Sequence, residues 1–259
     1  MTLGQSLRGW AKTLLPPAAR AGIVRLQKKY RLQAVRAGTV DFGDLRRLTP
    51  LSTIFGMDRG LPIDRYYIEK FLGRHADDIR GRVLELGDPF YIDKFGGGQV
   101  AHKDILHYTT GNPQATIVAD LTNADHIPSD IFDCIIFTQT IQMIYEPRLA
   151  LKTLHRILKP GGVLLLTSAG IAKIGRRLGR DDWGEYWHFT TQSCEAVFEE
   201  TFPGAEVEVS SFGNVFAAVC FLHGLGAEEL EPRELDHQDP DFEVLVTVRA
   251  QKAVKAGAP

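Results

Sequence analysis

A chain of 259 residues, 44% hydrophobic and 24% charged, holds enough apolar material for one large core or a medium domain with an extension, and is neither disordered nor fibrous in composition. Thirty basic against 32 acidic residues give a net charge of -2, which removes the whole-molecule positive field expected of a nucleic-acid binder. The three cysteines, Cys134, Cys194 and Cys220, are far apart and lack a CxxC, so reduced, mostly buried thiols are expected rather than disulfides or a zinc site.

The charge is uneven along the chain. Residues 1–40 carry eight basic side chains and no acid, leaving 22 basic against 32 acidic residues elsewhere. From Pro17 to about Gly38, Ile23, Leu26, Tyr30 and Ala34 recur at intervals of three and four, which predicts an amphipathic helix. Its stripe either packs on the domain or docks on an anionic membrane surface or polyanionic substrate. No apolar run approaches the roughly 18 to 20 residues of a membrane span, and the start lacks the apolar core of a signal peptide. A cytoplasmic protein is therefore expected, with peripheral membrane contact through residues 1–40 as an alternative. The organisation predicted is a basic helical extension and lid over 1–60, a main domain over 61–250 and a flexible tail over 251–259.

A loop-rich stretch with Gly43, Pro50, Gly56, Gly60 and Pro62 leads to a helix predicted from about Ile63 to Arg74, with Asp64 in its first turn. The segment DRGLPIDRYYIEKF, which includes Tyr66, is either a lid over a pocket or a capped, salt-bridged helix. From residue 82, RVLELG, QVAHKDILHY, ATIVADL, FDCIIFTQ and GGVLLLTS are apolar runs bounded by turn signals, and they predict buried parallel strands in βα units. A helix is expected from Pro147 to Leu158, with Leu151, Leu154 and Leu158 on one face, stopped by Pro160, Gly161 and Gly162. Further on come a polar, aromatic loop over 170–190, a helix near Gln192 to Thr201, an edge strand in AEVEVSSFG, a sheet-covering helix in VFAAVCFLHGL and a last strand in FEVLVTVRA.

In open α/β sheets ligands bind at the carboxyl ends of the strands, where the strand order reverses. Glu85 and Gly87 close the first candidate strand, Asp104 the second, Asp120 the third and Thr138 to Thr140 the fourth. Asp104 lies 17 positions beyond Gly87, near the roughly 20 expected of an acid that hydrogen-bonds a ribose. The ordered series LELG, an acid after strand two, ADL, FDCIIFTQTI and RILKPGGVLLLTS resembles the class I S-adenosylmethionine-dependent methyltransferases over about residues 82–168.

The resemblance implies a Rossmann-like, mostly parallel seven-stranded sheet with helices on both faces, preceded here by the N-terminal helical extension, and S-adenosylmethionine as cofactor. It places Glu85 and Gly87 beside the cofactor's methionine part, Asp104 on the ribose, Asp120 and Leu121 beside the adenine, and Thr138 and Gln139 facing the sulfonium; if the segment before the first strand is a lid, Tyr66 joins the cofactor-binding residues from it. The family's acid-x-Gly-x-Gly-x-Gly pattern departs here: Pro89 and Tyr91 replace its second and third glycines, and Gly96, Gly97 and Gly98 offer a rearranged loop. Loss of the cofactor is the competing reading.

In RDDWGEYWHFT, Asp181, Asp182, Glu185 and His188 stand among Trp183, Tyr186 and Trp187. An oxygen acceptor needs a general base, for which His188 is preferred over a histidine that merely satisfies a local hydrogen bond. Flat rings flanked by carboxylates suit a sugar, so Asp182, Trp183, Tyr186 and Trp187 are expected to bind the acceptor, core or lid packing being the alternative. Asp181, Asp182 and His188 would otherwise suit a divalent cation, though nothing fixes a coordination geometry. The function expected is O-methylation of a sugar or glycan hydroxyl. The rivals are a lipid or quinone acceptor and a degenerate, non-catalytic binding module.

Overall fold

The structure is a computed structural model that describes residues 39–175 and 184–254, together with Pro16 and Ala19. The predicted N-terminal helix, Asp181, Asp182, Trp183 and the last five residues lie outside the described residues. The chain divides into two units, Met1–Leu48 and Thr49–Pro259. In the first, the described part holds a 3-10 turn, Gly43–Leu45, with Arg46 over the Phe42 ring at 5.2 Å.

The second unit is built on a seven-stranded sheet of order β3-β2-β1-β4-β5-β7-β6. Its strands are β1 (Gly81–Leu86), β2 (Val100–His107), β3 (Ile117–Val118), β4 (Phe132–Thr138), β5 (Leu158–Ala169), β6 (Glu206–Phe212) and β7 (Leu245–Gln251). Strands β1 to β5 run parallel, while β7 is antiparallel to both β5 and β6. These are the buried parallel strands that the apolar runs predict, in the mostly parallel, seven-stranded Rossmann-like sheet that the resemblance implies.

Two-residue alternation divides the central strands between two cores. Ile135, Phe137, Leu164, Leu166, Val246 and Val248 enter one core, and Cys134, Ile136, Val163, Leu165 and Leu245 enter the other, so both faces need cover. On the first face lie Leu151, Leu154 and Ile157 of one helix (Pro147–Ile157) and Cys194, Val197 and Phe198 of another (Thr191–Thr201). On the second lie α1 (Ile63–Arg74), the short α2 (Phe90–Phe95), and two helices from the β6–β7 connection, α5 (Val215–His223) and α6 (Pro232–Asp236). Numbered in chain order, the two first-face helices are α3 and α4. Asn214 caps α5 by accepting from the Ala217 N–H at 2.9 Å, and left-handed Gly224 ends it. The cysteines are buried and unpaired.

The KPGG block behaves differently from its reading as a helix stop. Helix α3 ends at Ile157, Leu158 is already extended, and the block forms the first part of β5. A residue before proline is driven out of the helical region, so Pro160 keeps Lys159 extended. Gly162 then lets β5 approach β4, since a Cβ there would lie 2.9 Å from the Phe132 carbonyl oxygen. Lys159 Nζ lies 2.7 Å from an Asp133 carboxylate oxygen, which also accepts from the Arg82 N–H at 2.8 Å. Asp133 of the FD motif therefore ties β1, β4 and β5 together.

Candidate cofactor and acceptor site

The strand order reverses between β1 and β4, so the cleft position of this fold lies over the carboxyl ends of those two strands. Gly87 ends β1 at φ +85, a left-handed conformation that side chains disfavour, and a Cβ there would meet no heavy atom within 4 Å. Open space therefore adjoins the turn. Its far side is closed by Asn112, whose Nδ2 donates to the Gly87 carbonyl at 2.5 Å.

Glu85 turns the other way. Its carboxylate is buried under α2 and accepts from the Tyr91 N–H at 3.0 Å and the Ile92 N–H at 2.8 Å, so it satisfies donors at the helix start. Burial pushes its pKa up to about 7 against the pull of those two donors. The two departures from the glycine pattern explain themselves here: Pro89 is the residue before α2, and Tyr91 lies buried within it, its ring stacked on Phe95 at 6.2 Å and its hydroxyl accepting from Arg65 Nη1 at 2.9 Å. A short helix stands where the pattern has a bare loop.

Asp104 lies within β2, not after it. It pairs with Leu84 in the middle of β1, three residues before the strand ends at His107. Its carboxylate is buried, accepts from Arg82 Nε at 2.7 Å and from Thr116 Oγ1 at 3.1 Å, and lies 3.5 Å from His102 Nε2. Burial acts to raise its pKa, but Arg82 and Thr116 outweigh it and hold the group below the usual carboxylate range. The residues that do follow the end of β2 are Tyr108, 70% exposed, and Thr109.

Asp120 lies just past β3, exposed, accepting from the N–H and hydroxyl of Thr122 at 2.9 and 2.8 Å, with Leu121 buried behind it in the first core. Tyr66 is engaged with α6. Its hydroxyl donates to Asp236 of α6 at 2.8 Å, and Lys70 pairs with the same carboxylate at 2.5 Å.

At the end of β4 the structure gathers more groups than the sequence singles out. Thr138 closes the strand and Gln139 follows at φ +47, its N–H donating to the Thr167 carbonyl of β5 at 2.9 Å. Gln139 Oε1 accepts from Gln142 at 2.7 Å, and buried Gln142 accepts in turn from Ser168 at 3.2 Å. The Gln142 carbonyl accepts the N–H groups of Tyr186 and Trp187 at 2.9 and 3.2 Å, and Trp187 Nε1 donates to the Ile144 carbonyl at 3.1 Å. The 184–188 segment is thus docked on the turn after β4.

This docking assembles a ring cluster. Tyr145 meets Tyr186 edge-on at 5.2 Å and Trp187 stacked at 6.4 Å, and all three remain substantially exposed. His188 Nε2 lies 3.3 Å from Glu185 Oε1, while Glu185 Oε2 accepts the Gly175 N–H. Lys173 stands 3.7 Å over the Phe55 ring, its pKa pushed down by burial against the attraction of Glu185. Of the groups here, Tyr145, Gln142 and Ser168 carry no signal of spacing in the sequence, because only the chain's return at 184–188 brings them to the site.

Residues 99–166 match the family model of a methyltransferase domain. The matched segment runs from the start of β2 into β5 and includes Asp104, Asp120, Leu121, Thr138 and Gln139, and a methyltransferase domain implies S-adenosylmethionine as cofactor. No curated protein matches the chain. Among solved structures it is similar to an S-adenosylmethionine-dependent methyltransferase from Mesorhizobium loti, at 19% identity and TM-score 0.48, covering 73% of this chain and 98% of that one. Another from Thermotoga maritima is 16% identical at TM-score 0.47, covering 72% and 92% of the two chains. A [4+2]-cyclase is 14% identical at TM-score 0.45, covering 70% and 82%. Among the described residues no group of three or more His, Cys, Asp or Glu is placed to hold a metal ion, and no helix is long and apolar enough to cross a membrane.

Proposed function

We propose that this methyltransferase domain transfers a methyl group from S-adenosylmethionine to a hydroxyl of a saccharide acceptor. What carries the acceptor assignment is the exposed cluster of Tyr145, Tyr186 and Trp187 beside His188, at the carboxyl edge that the fold reserves for ligands. Sugar C–H faces stack on such rings, and Asp182 and Trp183, which precede them in sequence, are assigned to the acceptor on residue type alone in this reading. His188 takes the hydroxyl proton.

The cofactor supplies an activated methyl group, so positioning does much of the work. The open space at Gly87 fits a ligand passing close to the backbone. In this reading Thr138 and Gln139 face the methyl donor across the switch point, Asp120 and Leu121 flank the adenine, and Tyr108, which follows β2, takes the place beside the ribose in preference to Asp104, whose carboxylate is engaged by Arg82 and Thr116. Glu85 acts on the cofactor through the helix it caps.

The decisive experiment is calorimetry with S-adenosylhomocysteine, followed by methyl transfer from S-adenosylmethionine to a saccharide panel. His188→Ala abolishes turnover and leaves S-adenosylhomocysteine affinity intact. Retained turnover in that variant removes His188 as base. The second reading is a cofactor-free binding module, favoured by the engagement of both Glu85 oxygens with backbone and by the burial of Asp104 against Arg82. Absence of S-adenosylhomocysteine binding by a folded sample selects it.

A further inference from the structure

A carboxylate withdrawn from water needs partners, and Glu185 is such a group: its side chain is 4% exposed although it lies between exposed Gly184 and Tyr186. Its two oxygens have distinct duties. Oε2 accepts the Gly175 N–H, which fixes the carboxylate to the loop leaving β5, and Oε1 faces His188 Nε2 at 3.3 Å. Lys173, on the same loop, attracts the carboxylate electrostatically while its ammonium sits over Phe55. The backbone of the next two residues is held by the Gln142 carbonyl, so the segment carrying Glu185 and His188 is anchored on both sides.

We infer that Glu185 is a positioning residue that holds His188 in the Nε2–H tautomer and so leaves Nδ1 as the basic nitrogen that receives the acceptor's proton. This rests on the assignment of His188 as base. A neutral imidazole carries one N–H, and a carboxylate can only accept, so the nitrogen facing Glu185 is the one that bears hydrogen. As the acceptor oxygen gains the methyl group and the carbon–sulfur bond of the sulfonium breaks, the hydroxyl proton passes to Nδ1. The imidazolium formed is then paired with the Glu185 carboxylate, and the sulfur leaves as a neutral thioether.

The test reads the tautomer directly, by long-range 1H–15N correlation on protein labelled with 15N-histidine, His188→Gln identifying the signals. The wild type shows the Nε2–H form. In Glu185→Gln the amide oxygen keeps the Gly175 N–H and the amide nitrogen becomes a donor toward Nε2, so the neutral ring switches to Nδ1–H. Glu185→Asp retains the acceptor and retains Nε2–H, which keeps the test decisive if the glutamine variant does not fold. A wild-type Nδ1–H form, or a tautomer that is the same in wild type and Glu185→Gln, overturns the inference. With an acceptor from the saccharide panel, Glu185→Gln lowers kcat at least about tenfold with KM for the cofactor unchanged. Full turnover by His188→Ala, alongside the tautomer switch, sinks the base assignment and not the positioning.

Discussion

Glu85 offers a measurement in which burial and helix capping oppose each other. An ordinary glutamate titrates near 4.5, and burial carries this one up to about 7 although two backbone donors stabilise its charged form. Between those values the folded protein binds a proton that the unfolded chain releases. Stability from this group is therefore complete below pH 4.5 and is lost as pH rises toward 7. At about 1.4 kcal/mol per unit, the loss across that window is about 3 kcal/mol. Glu85→Gln removes the titration while keeping the shape, so urea unfolding of both proteins at pH 5 and pH 8 isolates it. The variant gains on the wild type by about 2–3 kcal/mol between the two conditions, even if it is less stable at both through a lost backbone acceptor. A difference that is flat with pH, or that moves the other way, would show that the two N–H donors outweigh burial and refute the assignment.

Other substitutions separate fold from function. Gly87→Ala forces a side chain into φ +85 with no neighbour to strike, so it lowers stability by only about 1 kcal/mol. Calorimetry should nevertheless find S-adenosylhomocysteine binding at least about tenfold weaker, because the methyl group enters the proposed cofactor space; unchanged affinity would remove that space from the site. Gly162→Ala meets three backbone carbonyl oxygens within 3.2 Å and is expected to lower stability by about 3 kcal/mol in urea unfolding. Asp104→Asn loses the Arg82 pair, which is partly exposed, and costs about 1–2 kcal/mol. Its S-adenosylhomocysteine affinity stays within about twofold of the wild type, and a tenfold loss would return Asp104 to the ribose. Trp187→Ala raises KM for a responding saccharide by about tenfold and leaves cofactor affinity unchanged.

The parallel strands were legible because burial on both faces leaves continuous apolar runs, and FDCIIFT and VLLLTS supply the centre of the sheet. ATIVADL promised more strand than forms: only Ile117 and Val118 join the ladder, at one edge of the sheet. VFAAVCFLH is apolar all round, so its periodicity could not say which side packs. Ala217, Ala218, Cys220 and Phe221 are buried, while Val215, Phe216, Val219 and Leu222 remain exposed.

The site was less legible for a related reason. A charged residue followed by apolar ones marks a strand's start as readily as its end, and Asp104 stands in mid-strand with three more residues of β2 after it. Glu85 carries the sequence position of a ligand-binding acid, yet its side chain points to the face that α2 covers, a direction fixed by the same alternation that buries Val83. Identity at a motif position thus leaves open which face of the sheet the group serves. At the end of β4 the information runs the opposite way. Gln142, Tyr145 and Ser168 acquire their relation to Tyr186, Trp187 and His188 only when Gln142 receives two backbone hydrogens from the returning loop. That contact joins a frame of apolar strands to a surface whose chemistry the strands do not dictate. Acceptor choice should therefore follow residues 184–188 and the turn beneath them, while substitutions in the ladder change stability and leave the acceptor the same.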